Sequence, residues 1–253
     1  MNGTKRTTQH KQDPITRCVS AGRTETGKVR RRNEDAILAR DDLGLWVVAD
    51  GVGGHAAGDY ASALIVERLG ALRRDGDVYD FIEAIEDTLQ QINAELRDFA
   101  LVRQVDVIAS TVVILVHDRQ FVLCGWVGDS RAYVYENGQL RQLTRDHVHG
   151  LKPDVTQFGA AAHGPAGAGV LTRAIGAEDQ LYLDWAVAGS RAGMQFLLCS
   201  DGINKELSDD ELELAYRDSG AGPHEQLTRL FTQALERAAR DNLSAVIVRL
   251  DEP

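Results

Sequence analysis

Leu45-Trp46-Val47-Val48-Ala49-Asp50-Gly51-Val52-Gly53-Gly54 is an apolar run that ends in an aspartate and then places three glycines in four positions. An apolar run bounded by glycine reads as a buried strand that stops at a turn. It delivers Asp50 to the rim of a core, where a carboxylate is stable only beside a cation or several hydrogen-bond donors. The glycines let the backbone turn sharply, and they let a carbonyl or amide come close to a ligand. A strand closed by a helix-capping Asp gives the same local pattern, so Asp50 alone does not decide between the two. Three further apolar strands also end in, or are flanked by, an aspartate.

Upstream, Arg17 to Arg23 alternates weakly and reads as a first strand, and a polar turn follows with Arg30, Arg31 and Arg32. Asn33-Glu34-Asp35 leads into the short strand Ala36 to Ala39. Downstream come two helices. Ala61, Leu64, Ile65, Leu69 and Leu72 share one face of the first, and Ile82, Ile85, Leu89, Ile92, Leu96 and Phe99 form a three-four stripe on the second. Thr111 to Val116 and Phe121 to Val127 are β-branched-rich strands. Ala132 to Tyr135 and Gln139 to Leu143 flank Asn137-Gly138, a hairpin signal, and the short connections predict an antiparallel meander. Leu171 to Ile175, Leu181 to Val187 and Gln195 to Cys199 are three more strands. Ser208 opens a capping-box helix, Leu227 to Ala238 a longer one, and Leu243 to Leu250 is the last strand. Two helices after the first strands and two before the last predict an α+β fold, with two antiparallel sheets packed as a sandwich and a helix pair on each outer face.

Residues 1–14 read as a disordered lead-in, and 15–253 as one domain with a variable Gly/Ala-rich flap around 146–170. No run approaches the roughly 20 apolar residues of a membrane span, and the polar start is unlike a signal peptide. The net charge of −10 argues against nucleic acid and suits a protein that gathers carboxylates to hold cations. Three cysteines without a CxxC pair, two of them in apolar runs, read as reduced thiols of a cytoplasmic protein.

Asp35, Asp50, Asp129, Asp201 and Asp241 all fall at strand boundaries. If those ends converge, the carboxylates cannot all ionise unless a cation neutralises them. Oxygen donors of this kind suit Mg²⁺ or Mn²⁺, and two such ions sharing a water can turn it into hydroxide near neutral pH. Five independent turn-capping aspartates would give the same spacing. His147, His149 and His163 match no zinc pattern and are assigned to the flap.

Six motifs occur in order: RxxNED at Arg30 to Asp35, ADGxGGHxxGxxAS at Ala49 to Ser62, GDSRAY at Gly128 to Tyr133, LTRAIG at Leu171 to Gly176, SDG at Ser200 to Gly202, and Asp241-Asn242. Together they resemble the metal-dependent protein phosphatase family (type 2C), in its bacterial branch. The resemblance implies a serine/threonine phosphatase in which a hydroxide bridging two Mn²⁺ or Mg²⁺ ions attacks phosphorus, without a phosphoenzyme. It implies that Asp50 bridges both metals with the Gly51 carbonyl on the first, and that Asp35, Asp201 and Asp241 bind the second. Glu34 then holds a metal-bound water, Arg30 binds the phosphate, Asn242 orients Asp241, and Asp129 belongs to a weaker third metal site. Phosphorylated proteins are the implied substrates of a chain acting as a monomer, and a bacterial serine/threonine kinase is the implied counterpart.

The sequence departs from the family in three places. Val52 stands where animal members carry a histidine proposed as general acid, and His55 nearby is as well explained by the glycine turn. Lys205 stands four after Asp201, where an acidic third-site ligand often sits, which predicts a weak or absent third ion. The flap lacks the usual acidic pattern. A catalytically silent phosphoprotein-binding adaptor on the same fold is the rival reading, and the intact aspartates weigh against it.

Overall fold

The computed structural model describes residues 17–53, 57–149, 170–217 and 220–252. The elements run β1 (Arg17–Glu25), β2 (Asp35–Arg40), β3 (Leu45–Gly53), α1 (Gly58–Gly70), α2 (Val78–Arg103), β4 (Ile108–Ser110), β5 (Val112–His117) and β6 (Phe121–Val127). They continue with β7 (Arg131–Glu136), β8 (Gln139–Gln142), β9 (Val148–His149), β10 (Val170–Leu171), β11 (Asp184–Gly189) and β12 (Gln195–Cys199). The chain closes with α3 (Asp201–Asn204), α4 (Asp209–Leu214), α5 (Pro223–Glu236) and β13 (Leu243–Asp251).

Side-chain parity along β3 explains the layers. Leu45, Val47 and Ala49 pack under the helices with Ile85, Leu89 and Ile92, whereas Trp46 and Val48 point the other way, toward Phe196, Leu198 and Val246. In β13, Ala245 and Ile247 meet Leu227, Leu230 and Phe231 of α5, while Val246, Val248 and Leu250 face inward. Each central strand is therefore covered on both faces and reads as an unbroken apolar run. The result is helix on sheet on sheet on helix, the architecture the sequence predicts. One sheet has the order β1-β13-β12-β7-β8 and the other β11-β6-β5-β3-β2, with β4 added on the far end of β3.

Helix α2 begins at an Asp77–Asp80 capping box and buries Phe81, Ile85, Leu89, Ile92 and Leu96. Each such side chain contributes about 1.5–3 kcal/mol over an exposed one. Ile82 and Phe99, expected on that stripe, only flank it, and the Phe99 ring lies 4.9 Å from that of Tyr60. The Asn137-Gly138 turn has both φ angles positive, 54° and 82°, as a two-residue hairpin requires.

The meander is a correction. β5 and β6 pair in one sheet and β7 and β8 in the other, so the chain changes sheets at Gly128-Asp129-Ser130. Leu171 to Ile175 is also shorter than expected. Only Val170–Leu171 forms a strand, against β9, and Ile175 makes an isolated bridge to Ser110. The second outer face carries three helical pieces, α3, α4 and α5, because Asp201 to Asn204 closes one turn directly after β12. The lead-in, His55, His163 and most of the expected flap lie outside the described residues.

Candidate metal centre

Antiparallel register sets Asp35 directly opposite Asp50 across β2 and β3. Asp50 has the parity of Trp46 and Val48, so its carboxyl continues the inner face of the sandwich at the end of the strand. From the other sheet, Ser200-Asp201 follows β12 and Asp241-Asn242 precedes β13. Ser200 stitches the two sheets together. Its N–H donates to the Ser244 carbonyl (3.0 Å), its Oγ accepts the Ser244 N–H (3.1 Å), and its hydroxyl donates to Asp35 Oδ2 (2.7 Å). Asp129 sits where the chain changes sheets, and that crossing is tied to the junction of β4 and β5 by the Ser130–Thr111 hydroxyl pair (2.7 Å). All five aspartates are thus delivered to one end of the sandwich.

The charges of these residues act on one another across the two sheets. Burial pushes Asp35 up to about 6, the hydroxyls of Ser244 and Ser200 oppose this, and the charges of Asp201 and Asp241 add to it. Asp50 is half-buried at the end of its strand. Burial holds it well above its usual value, and Asp35, Asp201, Asp129 and Asp241 all raise it further. Asp129 is pushed up to about 6 by burial and then by Asp201, with Lys205 opposing. Burial raises Glu34 as well, against the pull of Arg30. A cluster of carboxylates that resists ionisation lacks counter-charge.

Two buried oxygens, Asp35 Oδ1 and Asp201 Oδ1, have no hydrogen-bond partner. Orphaned anionic oxygens beside repelling neighbours fit a hard divalent cation, which takes oxygen ligands. Among the described residues no three of these side chains close tightly enough to cage an ion alone, so a bound ion also takes backbone or water oxygens. The backbone here is made for close approach. A Cβ on Gly51 would stand 2.1 Å from the Gly58 carbonyl oxygen, and one on Gly58 would stand 2.8 Å from the Gly51 oxygen. Only glycine at both positions lets the end of β3 lie against the start of α1. The Gly51 N–H donates to the Glu34 carbonyl (3.0 Å), which the Ser62 hydroxyl also reaches (2.6 Å).

Arg30 is exposed at the rim and donates to Asp241 Oδ2 at 2.8 Å. Asn242 differs from the expected role. Its backbone N–H holds Asp241 Oδ1 (2.9 Å), but its side chain clamps the arginine loop: Oδ1 accepts the Glu34 N–H, and Nδ2 donates to the Thr26 and Arg32 carbonyls, each at 2.9 Å. Val52 is exposed beside Gly51. His147 is a structural pin: its Nδ1 accepts the Gly128 N–H (3.0 Å), so Nε2 carries the proton and faces Asp184 Oδ2 at 3.0 Å. Sequence reasoning took Ser200 as structural rather than nucleophilic, and it missed Ser244, Thr111 and Ser130. Ser244 was findable, as the only hydroxyl in the apolar run of β13 and on its inward face.

Carboxylates that suit hard cations, with an arginine at their rim, are groups that a metal-dependent phosphatase uses. Residues 25–249 match the model of protein phosphatase 2C, and the chain belongs to that family. It is 31% identical over 242 residues to the serine/threonine phosphatase stp of Listeria monocytogenes (serovar 1/2a), covering 90% of this chain and 94% of that one. The serine/threonine protein phosphatase PstP of Mycobacterium tuberculosis (strain H37Rv) is 30% identical over 236 residues, 90% of this chain and 44% of the relative. Among solved structures, PppA, a key regulatory component of T6SS in Pseudomonas aeruginosa, superposes with a TM-score of 0.83 at 36% identity, over 94% of this chain and 100% of that one. The PstP catalytic domain in complex with two manganese ions gives 0.80 at 26% identity, with the same coverage. The chain is a metal-dependent phosphoprotein phosphatase.

Proposed function

We propose that this phosphatase removes phosphate from phosphoserine and phosphothreonine with two divalent ions, and that it reverses the action of a bacterial serine/threonine kinase. The observation that carries the reading is the meeting of Asp35, Asp50, Asp201 and Asp241 at one sandwich end, with orphaned oxygens on Asp35 and Asp201. These four, with the Gly51 carbonyl, would hold the ions, Asp35 and Asp50 from one sheet and Asp201 and Asp241 from the ends of strands in the other. Bound there, Mn²⁺ or Mg²⁺ lowers the pKa of water toward neutrality and screens the charge on the phosphate. Arg30 lies beside Asp241 with its guanidinium half exposed, free to turn one edge to a phosphate oxygen while the other keeps the carboxylate. Glu34, on the loop clamped by Asn242, would orient a water there. Ser200 is no nucleophile, since it is fully buried and its hydroxyl is committed to Asp35.

PppA is a regulatory component of a secretion system, and this supports a regulatory role for the present chain, acting on phosphoproteins of such an assembly. A silent adaptor would have no use for unpartnered buried carboxylates. The test is hydrolysis of a phosphothreonine peptide. It should require Mn²⁺ or Mg²⁺ and vanish with chelator, and full activity in excess EDTA would overturn the reading.

A further inference from the structure

Lys205 follows α3, four residues after Asp201. Its Nζ is ion-paired with Asp201 Oδ2, and its backbone N–H donates to the Asp201 carbonyl at 2.9 Å. The Asp201 side chain is 12% exposed and that of Lys205 50%, so the ammonium enters the cluster from the solvent side. It does not serve Asp201 alone. Asp129, on the crossing between the sheets, is raised by Asp201 and lowered by Lys205, and Lys205 in turn feels Asp201, Asp129 and Asp241. Arg30 is the corresponding cation on the Asp241 side.

We infer that Lys205 is a resident cation that fills the gap between Asp201 and Asp129 and keeps a third divalent ion out of it. The inference rests on the two-ion reading above. A divalent ion in that gap needs oxygens from both aspartates. The ammonium takes one Asp201 oxygen, and it adds a positive charge that the ion must approach. Charge balance points the same way. Asp35, Asp50, Asp129, Asp201, Asp241 and Glu34 supply six negative charges; two divalent ions supply four positive ones, and Arg30 and Lys205 one each. With a neutral water in the site the centre is then uncharged, and a third divalent ion would carry it to +2. The one-turn helix is what places the lysine, because positions i and i+4 share a face.

The experiment counts ions on the intact chain by equilibrium dialysis with Mn²⁺ and locates them by anomalous scattering from crystals in millimolar Mn²⁺. Wild type should bind two, with no peak beside Asp129, and Lys205→Asp should bind three, the new peak lying against Asp129. If Lys205→Asp does not fold, Lys205→Gln keeps most of the side chain and removes its charge. It should take up a third Mn²⁺ about tenfold more tightly than wild type. A third wild-type peak as strong as the core pair, or variants that still bind only two ions, would overturn the inference. A wild-type map lacking the core pair would overturn the two-ion reading instead, and the wild-type and variant comparison at Asp129 would still decide this one.

Discussion

In the proposed mechanism Asp50 and Arg30 act on the same phosphate by different physics, and substitution separates them. Asp50→Asn removes the charge shared between the two sheets' ligands, so turnover should fall to background and Mn²⁺ binding should weaken with it. Arg30→Ala removes one charged hydrogen-bond donor from the rim. Such a contact is worth about 1.5–3 kcal/mol, so kcat/KM should drop roughly ten- to a hundredfold while Mn²⁺ still binds. Steady-state kinetics on a phosphopeptide, with a parallel Mn²⁺ titration, checks both. Wild-type kinetics for Arg30→Ala would mean that another group holds the phosphate. At this scale the candidate aspartates were legible through the six ordered motifs and the resemblance they carry, because five turn-capping aspartates would give the same spacing. The hydroxyls of Ser200, Thr111 and Ser130 were not, since serine and threonine suit turns everywhere and only the tertiary contacts show what each one binds.

Where elements meet, the tightest joint is Gly202 against the chain that leads into β13. A Cβ there would lie 1.9 Å from the Asn242 carbonyl oxygen, a backbone atom that cannot swing aside. Overpacking of this kind costs about 1–3 kcal/mol, and in a chain of this size each kcal/mol moves Tm by roughly 2–4 °C. Gly202→Ala should therefore lower Tm by about 3–10 °C. Gly189→Ala, whose Cβ would meet nothing closer than 3.8 Å, should leave it nearly unchanged. Equal Tm values in differential scanning calorimetry would contradict the geometry. Most elements could be read from the sequence because their periodicity is strong, as in α2, or their punctuation plain, as at Asn137-Gly138 and Ser208. The change of sheet between β6 and β7 could not. Three residues joining two apolar strands look like any hairpin turn, and only the pairing partners, which lie far along the chain, distinguish the two.

For the molecule as a whole, the metal centre is a cost to folding that its ions offset. Asp35 has a folded pKa of about 6 against an ordinary 3.8, so the metal-free fold prefers it protonated. The sign follows: its contribution to stability is fully present below pH 4 and is lost as pH rises through 6. At one pKa unit per 1.36 kcal/mol the loss is about 3 kcal/mol. Ions that bind only the folded, ionised cluster restore it. The gain in Tm on adding Mn²⁺ should therefore grow between pH 5 and pH 7.5, and a gain independent of pH would show that Asp35 is not coupled to the ions. The order of strands in the first sheet has a further consequence, for synthesis on the ribosome. β1 emerges early, yet its sheet partner is β13, with Arg17 paired to Asp251, and β13 is made more than two hundred residues later. Until then β1 has an unfilled edge, and Asp241 does not yet exist. A nascent chain interrupted anywhere before that point lacks both an inner strand of one sheet and one of the candidate ligands, so stalled products should be inert toward phosphoproteins and open to proteases.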